Sequence, residues 1–435
     1  MSVDGRVTRV ALPERPPLHR VILAASVGNA LEWFDFLIYG YFAVTISKVF
    51  FPTGNESLSL LVTLGTFGLA YLVRPFGAIV IGAYADRAGR KSALMLSILL
   101  MMIGTTIMAV IPSYAAIGIA APIMVLLARL LQGFSVGGEF GSSTAFLVEH
   151  SENRKGFMAS WQWASQGVTA LVASAFGVVL TSTLTQDQLL DWGWRVPFFF
   201  GLLIGPVGLY IRSRMAETPE FAATEPAKAP ILTLLAEQPV AVLIAIGASI
   251  ISNSSNYLIL YIPTYAISQL HLPQSTGYIA TLVGAIILGS VSLVAGHWSD
   301  KIGRTQIMLA MTVLFLVTSY PIFAAMVAYP SLATAILAAG WLSLVKAGYS
   351  GVLPSLLSEL FPTETRAIGM SFSYSVSVTI FGGFAPFVAT WLITQTGDKL
   401  SPSFYLMATA VLSMIAIIAA GRRLPARARR GQVKV

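Results

Sequence analysis

The sequence predicts an all-α polytopic membrane protein of twelve transmembrane helices in two pseudo-symmetric six-helix bundles. Three observations predict it. The 435 residues are 56% hydrophobic and only 11% charged, against about 25% charged in an ordinary soluble domain. Apolar runs recur from about Val21 to Ala420, and at roughly 20 residues per crossing they leave room for about twelve helices. Third, GAYADRAGRK at Gly82 to Lys91 returns as GHWSDKIGRT at Gly296 to Thr305, with Gly, Asp, a basic residue, Gly and Arg in register. Repetition at half the chain length is what two parallel repeats produce in a transporter. No period-two alternation appears, which argues against a β-barrel.

In order, the apolar runs place helices at Val21 to Thr45, Leu58 to Ala83, Ser92 to Ile111, Ala121 to Val148, Gly156 to Leu180 and Val196 to Ile211. The second six follow at Val240 to Ala266, Thr276 to Ala295, Gln306 to Ala328, Leu332 to Leu357, Ile368 to Ile393 and Phe404 to Ala419. The expected domains are a tail at 1–20, a bundle at 21–211, a charged Pro-containing linker at 212–239, a second bundle at 240–420 and a basic tail at 421–435. Most of the 27 Lys and Arg residues fall on one side when crossings are counted off. The positive-inside rule makes that side, with both termini, cytoplasmic, and the expected location is a bacterial inner membrane. The net charge of +8 therefore reads as topology and not as nucleic-acid binding. Two bundles that bury their own polar faces are expected to work as a monomer.

The chain has no cysteine, which excludes disulfides and thiolate metal sites. His19, His150, His271 and His297 fall in loops or at helix ends. A proton carrier at mid-membrane must then be a carboxylate. No metal cluster, cofactor motif or nucleophile beside a base is present, so a transporter is expected and an enzyme is not.

Charges inside apolar runs cost at least about 2.5 kcal/mol each and mark pathways. Glu32 and Asp35 lie one turn apart in NALEWFDFLIYGY and share a helix face. Both are candidate proton carriers, as is Glu139. Counting about 1.5 Å per residue puts Glu32, Arg74, Glu139 and Lys346 at one depth, with Asp35 and Arg129 nearer the outside. Arg74 is then a buried charge able to pair with Glu139. Arg129, followed by Gln132, is an anion contact or the partner of Asp35. Lys346 has no acid at its level in the second half, and a partnerless cation at the midplane suits an anionic ligand. Gln162, Gln166, Asn253, Asn256, Tyr257, Tyr349 and Tyr374 supply further hydrogen-bonding groups for substrate.

The repeated motif has its own logic. Gly82, Gly89 and Gly303 allow close backbone approach, Asp86 and Asp300 can face a helix N-terminus, and Arg87, Arg90 and Arg304 anchor at the membrane surface. It is expected to be a short gating loop that couples two helices.

The duplicated motif resembles that of the major facilitator superfamily. NALEWFDFLIYGY, RPFGAIVIGAYADRAGRK, ARLLQGFSVGGEFG, DWGWRVPFF and ELFPTETRAIGMSFSYSVSVTIFGG are similar to its metabolite:H+ symporter family, nearly along the whole chain. TGDKLSP at Thr396 to Pro402 looks most like the citrate and tricarballylate branch. The resemblance implies the major facilitator fold around a central cavity, no cofactor, and uptake of a small organic anion with protons. A zwitterion such as betaine or proline is the alternative within the family. The resemblance also implies an apolar residue in place of Lys346, so that lysine is the chain's departure from the citrate branch.

Overall fold

The computed structural model describes residues 22, 29, 33–88, 90–136, 139–149, 154–213, 230–363 and 365–432. The first half runs α1 (33–50, with a turn at Phe42), α2 (Glu56–Leu72 continued by Arg74–Ala88), α3 (Arg90–Val110), α4 (Ala120–Ser135 and Glu139–Glu149), α5 (Lys155–Thr183) and α6 (Val196–Ser213). The second runs α7 (Pro239–Ser268), α8 (Gln274–Ile302), α9 (Arg304–Ala328), α10 (Leu332–Ser350 and Leu353–Leu360), α11 (Arg366–Ser377 to Ala385–Thr396) and α12 (Ser401–Gln432). These are the twelve expected crossings. Among the described residues, eight helical stretches, the interrupted α2, α10 and α11 among them, are long and apolar enough to cross a membrane.

Three helices that the apolar pattern draws as continuous are interrupted, each just before a proline. α2 turns at Val73 ahead of Pro75, α10 at Gly351 and Val352 ahead of Pro354, and α11 passes through a π-helical segment, Val378–Gly383, ahead of Pro386. Proline lacks the N–H that would continue the ladder, and its ring disfavours helical geometry in the preceding residue. α4 is divided too, after Ser135; residues 137 and 138 lie outside the described residues.

The repeated motif is not a loop. Gly82, Asp86 and Arg87 belong to the second part of α2, Arg90 begins α3, Asp300 lies in the last turn of α8 and Arg304 begins α9. Among the described residues of the motif, Gly303, at φ 108°, separates two helices; Gly89 lies outside the described residues. Charged residues end the apolar run but not the helix, so both helices outlast their membrane-embedded portions. Likewise α12 continues to Gln432 through the expected tail, and Pro230–Glu237 of the expected linker is helical.

Apolar residues are turned inside out relative to a soluble protein. Phe76, Leu203, Val317 and Ile415 are each more than 60% exposed, while Asp35, Arg74, Arg129 and Lys346 are at most 4% exposed. Lipid tails are as apolar as the exposed side chains, so polarity is sequestered between helices.

The two halves meet most extensively along α5 and α8. Small residues let these backbones touch: a Cβ on Gly167 would stand 2.5 Å from the amide nitrogen of Gly289. α2 meets α11 across the same divide, where the Thr379 hydroxyl donates to the Tyr71 carbonyl at 2.9 Å. Contacts between halves occur at both ends. At the end bearing the repeated motif, Asp300 accepts from the backbone N–H groups of Gly156 (2.8 Å) and Phe157 (3.1 Å). At the opposite end the Tyr278 hydroxyl donates to the Tyr41 carbonyl at 3.0 Å.

Candidate substrate and proton site

Two polar clusters occupy the middle of the molecule. The first lies inside the first half. Arg129 Nη1 donates to Gln132 Oε1 at 2.6 Å, and Gln132 Nε2 donates to Thr105 Oγ1 at 3.1 Å and to Asp35 Oδ2 at 3.4 Å. The Thr105 hydroxyl donates to Asp35 Oδ2. Asp35 and Arg129 thus belong to one network, linked through Gln132 and Thr105 without a direct ion pair.

The arginines are covered by rings. The Arg129 guanidinium carbon lies 4.3 Å from the Tyr39 centroid and 4.8 Å from that of Phe36. Arg74 lies 4.7 Å from Phe36, 4.1 Å from Tyr71 and 5.6 Å from Trp33. Phe36 therefore contacts both. Nε and Nη2 of each arginine are buried without a hydrogen-bond partner among the described residues. A cation–π contact is worth about 0.5 to 2 kcal/mol, whereas burying an ion costs several. The rings offset part of that cost, and the free N–H groups can still take an acceptor.

The second cluster lies on the divide between the halves. Lys346 on α10 donates to Asn256 Oδ1 on α7 at 2.5 Å, and its Nζ stands 4.6 Å from the ring of Trp163 on α5. No carboxylate pairs with it among the described residues. Lys346 and Asn256 line a small cavity of about 20 Å³ together with Tyr41, Thr281 and Ser343 and apolar residues of α1, α5, α7 and α8, room for about one water molecule. That is far below the roughly 300 Å³ at which small-metabolite sites begin, so the halves must part at this point to admit a substrate. One cation, one amide and three hydroxyl groups in an otherwise apolar chamber suit a small anion.

The other expected site residues are dispersed. Gln162 bonds Asn29 (2.9 Å) and Ser143 (3.1 Å), tying α5 to α1 and α4. Gln166 is buried with its Nε2 unpartnered. Asn253 donates to Ser377 at 3.2 Å. Tyr257 packs against Tyr71, Phe67 and Trp33 of the first half. Tyr349 donates to the Ala248 carbonyl at 2.5 Å, and Tyr374 stacks on Phe140 with centroids 3.8 Å apart. None of these six lines the cavity. Glu32 and the side chains of Glu139, Asp86, Arg87 and Arg90 lie outside the described residues.

Two residues were not singled out from the sequence. Thr105 is one of two adjacent threonines in the apolar run of α3, and Trp163 reads as apolar filler in α5. A polar residue in an apolar run signals the first; nothing in a single sequence signals the second.

In the second copy of the motif, Arg304 stands 3.5 Å from Asp300 and is ion-paired with Glu359 at the end of α10. Asp300 caps the N-terminus of α5, where a negative charge is favoured by the helix dipole. One carboxylate thereby joins the two halves at this end.

Residues 21–229 match the family profile "Sugar (and other) transporter" and residues 279–434 match "Major Facilitator Superfamily". A citrate-proton symporter of Klebsiella pneumoniae is 39% identical over 91% of this chain and 90% of its own length. A proline/betaine transporter of Salmonella typhimurium is 36% identical over 92% of this chain and 82% of its own. Among solved structures, the xylose transporter XylE of E. coli in a partially occluded inward-open conformation superposes with a TM-score of 0.75. That match is 16% identical and covers 92% of this chain and 96% of the other; at that identity it bears on the fold alone.

Proposed function

The chain belongs to the major facilitator superfamily, to its metabolite:H+ symporters, and from that premise we propose that it imports a small organic anion together with protons by alternating access. The anion is a di- or tricarboxylate such as citrate. The observation that carries this reading is Lys346: a cation buried on the divide between the halves, hydrogen-bonded to a neutral amide and, among the described residues, paired with no carboxylate. Its ammonium would hold a carboxylate, with Asn256 and the cavity hydroxyls orienting the rest. Similarity to citrate-proton symporters supports the same substrate class.

Asp35 carries the proton. It is the buried carboxylate of the first cluster, and among the described residues no histidine is in that network. Glu32 and Glu139 are the further candidates. Arg129 is a second anion contact, and Arg74 beyond Phe36 a reserve of buried positive charge. Proton and anion each stabilise the occluded form, so neither crosses efficiently alone. The motif-bearing end faces the cytoplasm, because the basic residues gather there, and opening releases Asp300 from the start of α5. The protein works as a monomer in a bacterial inner membrane.

Proline/betaine relatives at 36% identity favour one second reading, a zwitterionic osmolyte whose carboxylate meets Lys346. Uptake of radiolabelled citrate, succinate and glycine betaine into proteoliposomes separates the two. The proposal expects a carboxylic acid to accumulate only under an inward proton gradient. Accumulation of betaine and neither acid would replace it with the zwitterion reading.

A further inference from the structure

Lys346 on α10 draws on both halves of the molecule. Its hydrogen-bond partner, Asn256 at 2.5 Å, is on α7 of its own half, so that bond can persist when the halves part. The Trp163 ring, 4.6 Å from Nζ, is on α5 of the other half, so that contact exists only while the halves are together. Lys346 is 1% exposed and, among the described residues, has no carboxylate paired with it. Burying an ammonium ion without a partner is costly, and one bond to an amide uses one of its three donors. The face of an aromatic ring attracts a cation, and more strongly where both are out of water.

Trp163 is an odd choice for filling space. It is fully buried, yet its indole N–H finds no hydrogen-bond partner among the described residues. A buried tryptophan ordinarily bonds that group, and a leucine or phenylalanine would fill a packing position without leaving a donor unmet. What tryptophan adds over either is the best ring for a cation. Its backbone is closely held: one turn along α5, a Cβ on Gly167 would stand 2.5 Å from the Gly289 amide nitrogen of α8. The ring is thereby carried at a fixed point of the divide.

Both ends are closed around this pair. Asp300 joins α8 to the start of α5 at the motif-bearing end, and Tyr278 joins α8 to α1 at the other. Between them the cavity beside Lys346 measures about 20 Å³, room for about one water molecule. A di- or tricarboxylate does not fit there, so this closed form belongs to the unloaded carrier. A carrier that accumulates its substrate crosses back unloaded once in every cycle. With acid bound, the substrate carboxylate neutralises Lys346; with the halves parted, water does. The unloaded closed form has neither.

We propose that Trp163 is the positioning residue of the return step: its ring stands in for the substrate carboxylate at Lys346 and lets the carrier close and cross back without acid. Incoming acid takes Lys346 from the ring, and the ring takes it back after release. Trp163 thereby separates net uptake from obligatory exchange, in which acid is bound in both directions. The assignment rests on the proposed anion site at Lys346.

Proteoliposomes filled with saturating labelled citrate or succinate, at equal pH and clamped membrane potential, report two fluxes. Exchange is the loss of label into buffer holding the same unlabelled acid. Net efflux is its loss into acid-free buffer, which requires the unloaded return. The ratio of net efflux to exchange is read for wild type, Trp163→Phe and Trp163→Leu. It should fall roughly two- to thirtyfold in Trp163→Leu, the strength of a cation–π contact expressed as a rate, with Trp163→Phe nearer wild type and exchange largely kept. A merely structural tryptophan would lower both fluxes together and leave the ratio unchanged, which overturns the proposal. A ratio as low in Trp163→Phe as in Trp163→Leu overturns it too, because the ring then has no part. Should Trp163→Leu carry no flux, Trp163→Met takes its place under the same criteria. Loss of exchange in both overturns the proposal, since the loaded carrier does not need the ring. Wild type that exchanges acid without net efflux has no unloaded return and also overturns it. If wild type exchanges neither acid, the function proposed above fails first and this assignment with it.

Discussion

The two halves repeat each other in backbone but not in charge. Each carries the motif after its second helix, and each divides its fourth helix near the middle, after Ser135 in α4 and after Ser350 in α10. Yet the first half buries Asp35, Arg74 and Arg129, while the second buries Lys346 alone among its midplane charges. The first half's charges are held by its own amide, hydroxyl and rings. The second half's lysine reaches across the divide to Trp163 of the first. The difference assigns two tasks: an internal cluster can change protonation without the halves parting, whereas a cation on the divide senses what lies between them.

Breaking the first task should have the largest effect. Asp35→Asn keeps the size of the side chain and its bond from Thr105 but cannot take up a proton. Gradient-driven accumulation should be abolished while exchange of labelled for unlabelled substrate persists, measured in the same vesicles. Because the proton-loaded carrier is the one that binds anion well, wild-type affinity falls as pH rises, and the variant should be flat.

Breaking the second task should cost less. A hydrogen bond to a charged group contributes about 1.5 to 3 kcal/mol, so Lys346→Ala should raise the substrate KM by roughly ten- to a hundredfold. Transport of glycine betaine by this variant, if any occurs, should be spared by comparison. Wild-type KM for the acid would remove Lys346 from the site.

Trp163→Leu sharpens the comparison further. It removes a cation–π contact worth about 0.5 to 2 kcal/mol without touching the charge. A change in KM of roughly two- to thirtyfold is expected, and Trp163→Phe should lie nearer wild type. Equal effects of both replacements would assign Trp163 to packing.

The smallest effect on transport belongs outside both clusters. Arg195, at the end opposite the motif, donates to the carbonyls of Asp191 (2.5 Å) and Ile111 (2.9 Å) and lies over the Trp194 ring. Arg195→Ala should lower Tm by a few degrees, since each lost bond contributes about 1 kcal/mol, and leave KM unchanged. A transport defect without a change in Tm would show that the outer mouth takes part in substrate entry.

Much of this arrangement is legible in the residues themselves, and what is not has physical causes. Apolar runs locate the crossings because the bilayer fixes their length, and the repeated motif reveals the halves. The helix ends are misplaced at the motif because charge ends hydropathy before it ends hydrogen bonding. Pro75, Pro354 and Pro386 accompany the interruptions, but Pro263 and Pro321 lie inside α7 and α9 without interrupting them, so a proline alone does not tell. For the site, rise per residue gives depth but not direction. It brings Asp35 and Arg129 to one level, yet does not show that Gln132 and Thr105 stand between them. Hydrogen-bonding capacity alone groups Gln162 and Tyr349 with the site, though their side chains tie helices together. Lys346 is legible because a lone cation in a span has few uses; Trp163 is not, because a ring in a span has many.

The central claim is that one anion and at least one proton cross together. It is tested most directly by loading proteoliposomes with a pH-sensitive dye and imposing an inward citrate gradient at equal pH on both sides. The account predicts that the lumen of wild-type vesicles acidifies as citrate enters and that Asp35→Asn vesicles show no protein-dependent acidification. Citrate entry without acidification in wild type, or wild-type acidification in Asp35→Asn, would contradict it.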